Sequence, residues 1–496
     1  MVERVIRLNR ITAPQTHLIL KTPPEPGMVH IGLGNFHRAH LAVYTAEAVA
    51  RTGGAWGIYA YSMRSDRNAR ELQEQDFCYS VVDIHPDSTK TVIPGIHSGA
   101  SGGPEALEKV FTHLIDERTR IISLTITESG YCYSTQTGGL DRTRPEIIHD
   151  INNLHQPYSV IGLLAYALMA RAQSHRAPVT ILSCDNLTSN GATTKRVLCE
   201  FAQELVAGDA NLLLEYLQER TSFPNSMVDR IVPSTEERHR ILVSERLGIH
   251  DEIPVPAEKF SMWVLEDNFI AGRPAWESSG AIFSEEVEKF ETMKLRLLNG
   301  SHSLLAYVGA LSGKPSVPEA RFTPYIEEAV RKFMKREMAP TLQMPKVIDL
   351  DEYIADLFSR WSNTVLSDTT ARIGSDGSIK LPPRITESSL WHSERNQATP
   401  LTALILAAWL ACMAPPVGFD PGSIARAMKD PALEYLTQLR SQSQSPAEIV
   451  ERLFADGKIF SRELNRLTEL KNQTATFLEQ IIHSGIEATT QAAISF

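Results

Sequence analysis

A chain of 496 residues, 43% apolar and 22% charged, has the composition of a folded globular protein too long for one ordinary core, and predicts two or three domains. Its formal charge of −10 argues against a general nucleic-acid or anionic-membrane surface and leaves room for a local basic pocket. Cys78, Cys132, Cys184, Cys199 and Cys412 are odd in number and form no C-x-x-C pair, which suits a reducing cytoplasm and argues against a disulfide framework or structural zinc. Arg4, Arg7 and Arg10 lead into no apolar core or cleavage site, so the N-terminus reads as an ordinary arm. The most membrane-like run, residues 401–414, contains Thr402 and fits a buried helix better than a span of roughly 20 residues.

In chain order, Met28-Val29-His30-Ile31 reads as a short buried strand. It runs into Gly32-Leu33-Gly34-Asn35-Phe36-His37-Arg38-Ala39-His40 and then a helix through Leu41, Tyr44 and Ala48. Strand, glycine turn and helix is the context of a dinucleotide fingerprint. Gly32 permits the tight turn and Gly34 lets the backbone approach a pyrophosphate. The third glycine position holds His37, so a plain β-turn is the competing reading. Residues 56–61 form a second strand, and Asp66 beyond it is either an NAD selector through the adenine-ribose hydroxyls or a cap for the helix from Arg67. Arg64 nearby leaves some NADP use open.

Residues 121–127 and 179–183 are β-branched runs without alternation, as expected of central parallel strands. They empty into Glu128-Ser129-Gly130-Tyr131 and into Cys184-Asp185-Asn186, then Asn190-Gly191. Ligands sit beyond such carboxyl ends, although both clusters are also ordinary turn chemistry. Asp229 and Arg230 stand between apolar residues, which favours paired charges. After about residue 283, helical patterns over 326–338, 350–361, 401–413, 447–454 and 464–483 replace strands. The fold class is therefore α/β, with a Rossmann-type parallel-sheet domain over 1–283 and a mostly α-helical domain over 284–496. Residues 375–378 read as a local turn between Arg372 and Lys380.

One segment of the second domain, residues 291–302, sets an amine, an amide and an imidazole among leucines. At 100° per residue from Lys294, Glu291 falls at about 60°, His302 at about 80° and Asn299 at about 140°, all on one side of a helix. That spacing permits a site and equally permits a surface lysine beside core-capping Asn and His.

Four segments together resemble the long-chain polyol dehydrogenase family, the mannitol dehydrogenase group that includes fructuronate and tagaturonate reductases. They are residues 32–40, residues 123–131, Phe223-Pro224-Asn225-Ser226-Met227-Val228-Asp229-Arg230, and Lys294-x4-Asn299-x2-His302. The resemblance implies a zinc-independent, NAD-dependent dehydrogenase with its active site between the two domains. It makes Lys294 the general base, Asn190 and Asn299 an oxyanion hole, and Glu291 an aid to proton exchange. Asp229, His302, Arg372 and Lys380 would contact substrate hydroxyls, and Gly32, Gly34, Phe36, Arg38, Asp66 and Glu128 would bind NAD in preference to NADP.

The residue types suit the reaction independently. Oxidising a secondary alcohol needs a base at the hydroxyl, and burial can lower a lysine pKa of about 10.4 toward neutrality. Amide donors aimed at the developing alkoxide lower the barrier. Read alone, Arg372 and Lys380 are solvated charges beside a turn. Arg372 resembles the polyol dehydrogenases, while Met293-Lys294-Leu295-Arg296 and Ala339-Pro340-Thr341-Leu342 resemble the hexuronate reductases. The sequence favours a mannitol 2-dehydrogenase-like interconversion of polyol and ketose over fructuronate reduction, with a catalytically silent NAD-binding sensor as the remote third reading. The expected partner is one small molecule, with no nucleic acid, membrane or metal, for a cytoplasmic monomer or weak homo-oligomer.

Overall fold

The computed structural model describes residues 6–85, 90–134, 137–366 and 368–496, so Arg4 lies outside the described residues. The chain divides into two units, Met1–Val287 and Glu288–Phe496. The division falls slightly beyond the expected boundary at 283, because Ile282–Phe283 pairs as a strand with Met262–Leu265 and ties the chain to the first unit that far.

The first unit is built on six strands: β1 (Pro26–Ile31), β2 (Gly57–Ser62), β3 (His97–Gly102), β4 (Ile121–Leu124), β5 (Val179–Ser183) and β6 (Thr221–Ser222). All pair in parallel, in the order β6-β5-β4-β1-β2-β3. This is the doubly wound dinucleotide-binding order, in which connections leave β1 toward one edge and β4 toward the other. Ile121, Ile122, Leu124, Val179, Ile181 and Leu182 are fully buried, which is why these strands carry no polar alternation. Register sets Ile31 beside Leu124, so the chain leaves the sheet at Gly32 and Thr125 side by side, at the switch point.

The strand expected over 121–127 ends at Leu124. Thr125 turns its hydroxyl onto the Gly32 carbonyl oxygen at 2.7 Å, and Thr127 adopts φ +69°, outside any strand. A seventh strand, β7 (Ser226–Asp229), pairs antiparallel with Met262–Leu265 in a separate small sheet. Arg230 is paired as expected, but with Asp83 at 3.0 Å.

The second unit is predominantly helical. Pro400–Met413 is buried along nearly its whole length and packs on the C-terminal helix Thr468–Ser495 and on Gly300–Leu311. Among the described residues no helix is long and apolar enough to cross a membrane. Glu337 is buried at the N-terminus of Pro400–Met413, where its carboxylate accepts from the Leu401 and Thr402 amides at 2.7 and 2.8 Å and from the Thr402 hydroxyl at 2.7 Å. These bonds satisfy donors that every helix start leaves open.

Candidate active site

In the first unit a cavity of about 860 Å³ opens at the carboxyl ends of β1, β2 and β4, lined by Gly32, Met63, Arg64, Thr125, Thr127 and Ser129 among others. Gly32 has φ +111°, and a Cβ there would overlap the Thr125 carbonyl oxygen, so no other residue fits. At Gly34 the nearest atom to an added Cβ is the Gly32 oxygen at 3.8 Å, so the absent side chain leaves the backbone open to close approach. Together they form a cradle that a side chain would fill, at the position where a dinucleotide pyrophosphate lies in this sheet order.

His37, at the third glycine position, packs under the turn. Its ring stacks on His30 with centroids 3.5 Å apart, and its Nε2 meets His97 Nε2 at 3.0 Å. His30 Nε2 donates to the Gly32 carbonyl at 3.0 Å and Nδ1 accepts from Ser123 Oγ at 2.9 Å, which fixes its tautomer and braces the turn. Burial pushes His30 and His97 down to about 3, and burial with neighbouring positive charge holds His37 well below the usual range, so all three rings are neutral. Sequence pattern gives no sign of this triad, whose members lie on three separate elements.

The other expected cofactor residues divide. Phe36 is half-buried and stacks on His40 at 4.9 Å. Arg38 is buried; its guanidinium donates to the Ile253 carbonyl at 2.5 Å and to Asn35 Oδ1 at 2.6 Å, a bracing role within the unit. Asp66 stands at the cap position of the helix Arg67–Glu74 and pairs with Arg70 at 3.2 Å, while Arg64 lines the cavity. Glu128 is exposed at the start of a short 3-10 turn, and its neighbours Ser129 and Gly130 line the cavity.

At the end of β5, Asn190 is fully buried. Its Oδ1 accepts from the Ser226 amide at 2.9 Å, and its Nδ2 lies 2.8 Å from the Ser226 carbonyl and 3.1 Å from that of Asp185. It ties the end of β5 to the start of β7, and Asp229 is buried at the other end of β7. Asp185 accepts from the Ile126 amide at 3.0 Å and from the Tyr131 hydroxyl at 2.7 Å, holding the bent exit of β4. Burial raises its carboxyl above the usual range.

The second unit carries the amine, amide and imidazole. Residues 291–302 are not one α-helix: Val287–Met293 is α-helical, Lys294–Asn299 is a π-helix, and Gly300–Leu311 is α-helical again. The Gly300 amide reaches back to the Leu295 carbonyl, an i→i+5 bond. Lys294 and Asn299 are therefore separated by the π repeat, and the 100° wheel misplaced Asn299. At the end of the π-helix Gly300 sits against Phe333, whose ring would lie 3.2 Å from an added Cβ. Phe333 opens a second π-helix, Phe333–Met338, in contact with the first. Glu291, Lys294, Asn299 and His302 are all half-buried, whereas Arg296, Leu297 and Leu298 are buried. Trp361 Nε1 donates to His302 Nε2 at 2.9 Å.

Arg372 is exposed and forms a two-bond ion pair with Asp368, which lies just before its short helix Thr370–Gly374. Lys380 belongs to the helix Gly377–Ser393, which follows directly from the expected turn, with Asp376 at φ +61° before it. Its Nζ donates to the Ser375 carbonyl at 2.7 Å. Burial, then the nearby Arg384 charge, holds its ammonium below the ordinary lysine range. Arg384, one turn further along, donates to Ser303 Oγ at 2.9 Å, beside His302 in sequence. Its spacing of four residues from Lys380 on one helix is the only signal for Arg384 in the sequence. The second unit thus carries a half-buried amine, amide and imidazole at Lys294, Asn299 and His302, and two further half-buried cations at Lys380 and Arg384.

Two family descriptions match: the mannitol dehydrogenase Rossmann domain over residues 26–278 and the mannitol dehydrogenase C-terminal domain over residues 286–482. The chain is 37% identical over 428 residues to the uncharacterized oxidoreductase YeiQ of Escherichia coli (strain K12), covering 86% of each. It is 35% identical over 469 residues to the D-mannonate oxidoreductase of the same organism, covering 93% of this chain and 94% of that one. Among solved structures, the Pseudomonas fluorescens mannitol 2-dehydrogenase ternary complex with NAD and D-mannitol superposes with a TM-score of 0.84 at 32% identity, covering 99% of this chain and 100% of that one.

Proposed function

Because the chain belongs to the mannitol dehydrogenase family, we propose that it is a zinc-independent, NAD-dependent oxidoreductase that interconverts a secondary alcohol and a ketone on an open polyhydroxylated chain. The observation that carries this reading is the Gly32–Gly34 cradle at the switch point of the parallel sheet; the second unit by itself carries the half-buried Lys294, Asn299 and His302. NAD bound at the cradle supplies the hydride acceptor. Gly32, Gly34 and the cavity residues hold it, Lys294 takes the hydroxyl proton, and the Asn299 amide donates to the oxygen as charge develops there. Asn190 would join it as the second donor on turning its amide from the Ser226 and Asp185 carbonyls, and Glu291 returns the lysine proton to solvent. Asp229, His302 and Lys380 bind the remaining hydroxyls, each of which needs a partner once desolvated.

The first substrate reading is a polyol and its ketose, mannitol and fructose, as in the solved relative with D-mannitol. A second reading, a sugar acid, is favoured by the D-mannonate oxidoreductase relative and by the Arg372–Asp368 ion pair, which engages the side chain on which the polyol reading leaned. The test is NADH absorbance followed with mannitol, arabinitol, sorbitol, fructose, fructuronate and tagaturonate. Turnover of at least one is expected, and no turnover with any would leave the NAD-binding sensor in its place.

A further inference from the structure

The cavity of the first unit carries an aromatic ring that the glycine cradle does not account for, and its reading rests on the dinucleotide binding proposed above. Tyr158 lines the same cavity as Gly32 and Met63, yet the residue is 67% exposed. The ring is fixed without being buried. It stacks on His149 with centroids 3.7 Å apart and planes within 5° of parallel, and His149 Nδ1 lies 3.0 Å from the carboxylate of the buried Asp150. That carboxylate also accepts from the Tyr158 and Ser159 amides at 2.7 and 2.9 Å and from the Ser159 hydroxyl at 2.6 Å, and Ser159 in turn caps the helix Val160–Gln173. One buried acid thus holds both the backbone under Tyr158 and the imidazole under its ring. With one face on His149, the ring keeps its other face open, and a planar group laid on it would cost little further ordering.

The helix starts place this ring in the cavity. Leu107–Leu114 and Val160–Gln173 lie side by side, with Phe111 stacked on Tyr166 at 4.1 Å between centroids. The first residues of both helices, Leu107 and Val160, line the cavity, as do Ser62 and Met63 at the end of β2. In this sheet order the adenosine ribose is bound at the end of β2, so the base beyond it meets the wall that these two helix starts build. Met63 and Leu107 add half-buried apolar surface to that wall. A purine has a π face and little charge, and an aromatic ring with apolar neighbours is the surface that suits it.

We propose that Tyr158 is the stacking surface for the adenine base of the cofactor, with His149 and Asp150 as the residues that position it.

The experiment measures binding of three probes: NADH, AMP and reduced nicotinamide mononucleotide, which lacks the adenosine half. Tyr158→Ala should weaken NADH and AMP by about 10-fold each, read by fluorescence and calorimetric titration, and leave the mononucleotide within about 2-fold. Tyr158→Trp should keep the wild-type affinities, and His149→Ala, which removes the support but not the stacking face, should give a smaller loss than Tyr158→Ala. The bonds from Asp150 reach the backbone at residue 158, so the Ala variant retains them, and its melting temperature reports that the unit is folded. Should it not fold, Tyr158→Leu against Tyr158→Trp carries the same comparison. Unchanged NADH and AMP affinity in Tyr158→Ala, or an equal loss for the mononucleotide, would overturn the proposal and leave the oxidoreductase reading intact. No binding of NADH to the wild-type protein would overturn both.

Discussion

Trp361 Nε1 donates to His302 Nε2 at 2.9 Å. An indole nitrogen only donates, so this imidazole nitrogen accepts, and the ring proton of the neutral form stands on Nδ1. If His302 binds a substrate hydroxyl as proposed, Trp361 is the residue that positions its ring. Trp361→Phe should lower kcat/KM about 10-fold and change its acid limb, because the ring is then released to protonate on both nitrogens. NADH affinity is expected to hold. A kcat/KM–pH profile matching that of wild type would remove the tautomer from the argument.

Lys294→Ala tests the proposed base. The turnover number should fall by about 1,000-fold while the NADH dissociation constant changes little, since general-base catalysis acts on the transition state and not on cofactor binding. Comparable losses in both, measured by single-turnover kinetics and fluorescence titration, would contradict the assignment.

The two asparagines should separate. Asn190 is buried and bonded to Ser226 at both ends of its amide, whereas Asn299 is half-buried at the end of the π-helix. Asn190→Ala leaves buried Ser226 groups unsatisfied and is expected to cost about 2–4 kcal/mol of stability in addition to activity. Asn299→Ala should lower kcat with less than about 1 kcal/mol lost. Urea denaturation of both variants provides the comparison, and equal destabilisation would refute it.

Acid should weaken the first unit through the histidine triad. His30 and His97 titrate at about 3 when folded against 6.5 otherwise, because burial opposes the charged ring and, for His97, the charges of Arg38 and Arg10 add to it. Both folded values are depressed, so the stability present above 6.5 is lost as pH falls from 6.5 toward 3. At about pH 5 the loss is roughly 2 kcal/mol for each ring. The melting temperature should therefore drop between about pH 7.5 and pH 5, and His97→Gln should make the drop shallower. A flat profile in wild type would sink the idea.

Glu337 works in the opposite direction. Burial pushes its carboxyl from 4.5 up to about 7, so its stabilising effect is complete below 4.5 and declines as pH rises through 7. Removing it altogether in Glu337→Ala leaves the Leu401 and Thr402 donors unmet inside the unit and should cost about 3 kcal/mol, read as a lower denaturation midpoint. No change in midpoint would mean that water replaces the carboxylate.

The strands around the cradle were legible because a parallel strand buried on both faces must be an unbroken apolar run. The glycines were legible because only glycine tolerates the Gly32 turn and its contact with Thr125. Arg38 looked like a ligand for the same local reason, standing in the right motif, yet its bonds run to Ile253, more than two hundred residues away. Asp66 likewise stands at the right strand end and is bonded to Arg70.

What the sequence determined by itself is whatever depends on neighbours along the chain: the strand, turn and helix order, the change from strands to helices near residue 283, and the grouping of Lys294, Asn299 and His302 in one short segment. Tertiary structure decided the rest. That residues 294–299 follow a π and not an α repeat, with Gly300 packed on Phe333, is visible only in the folded chain. That Arg372 pairs with Asp368 while Arg384 reaches Ser303 is likewise decided by packing. A helix fixes the angle between its own residues, but only packing against other elements fixes its hydrogen-bond register and the side chains it meets.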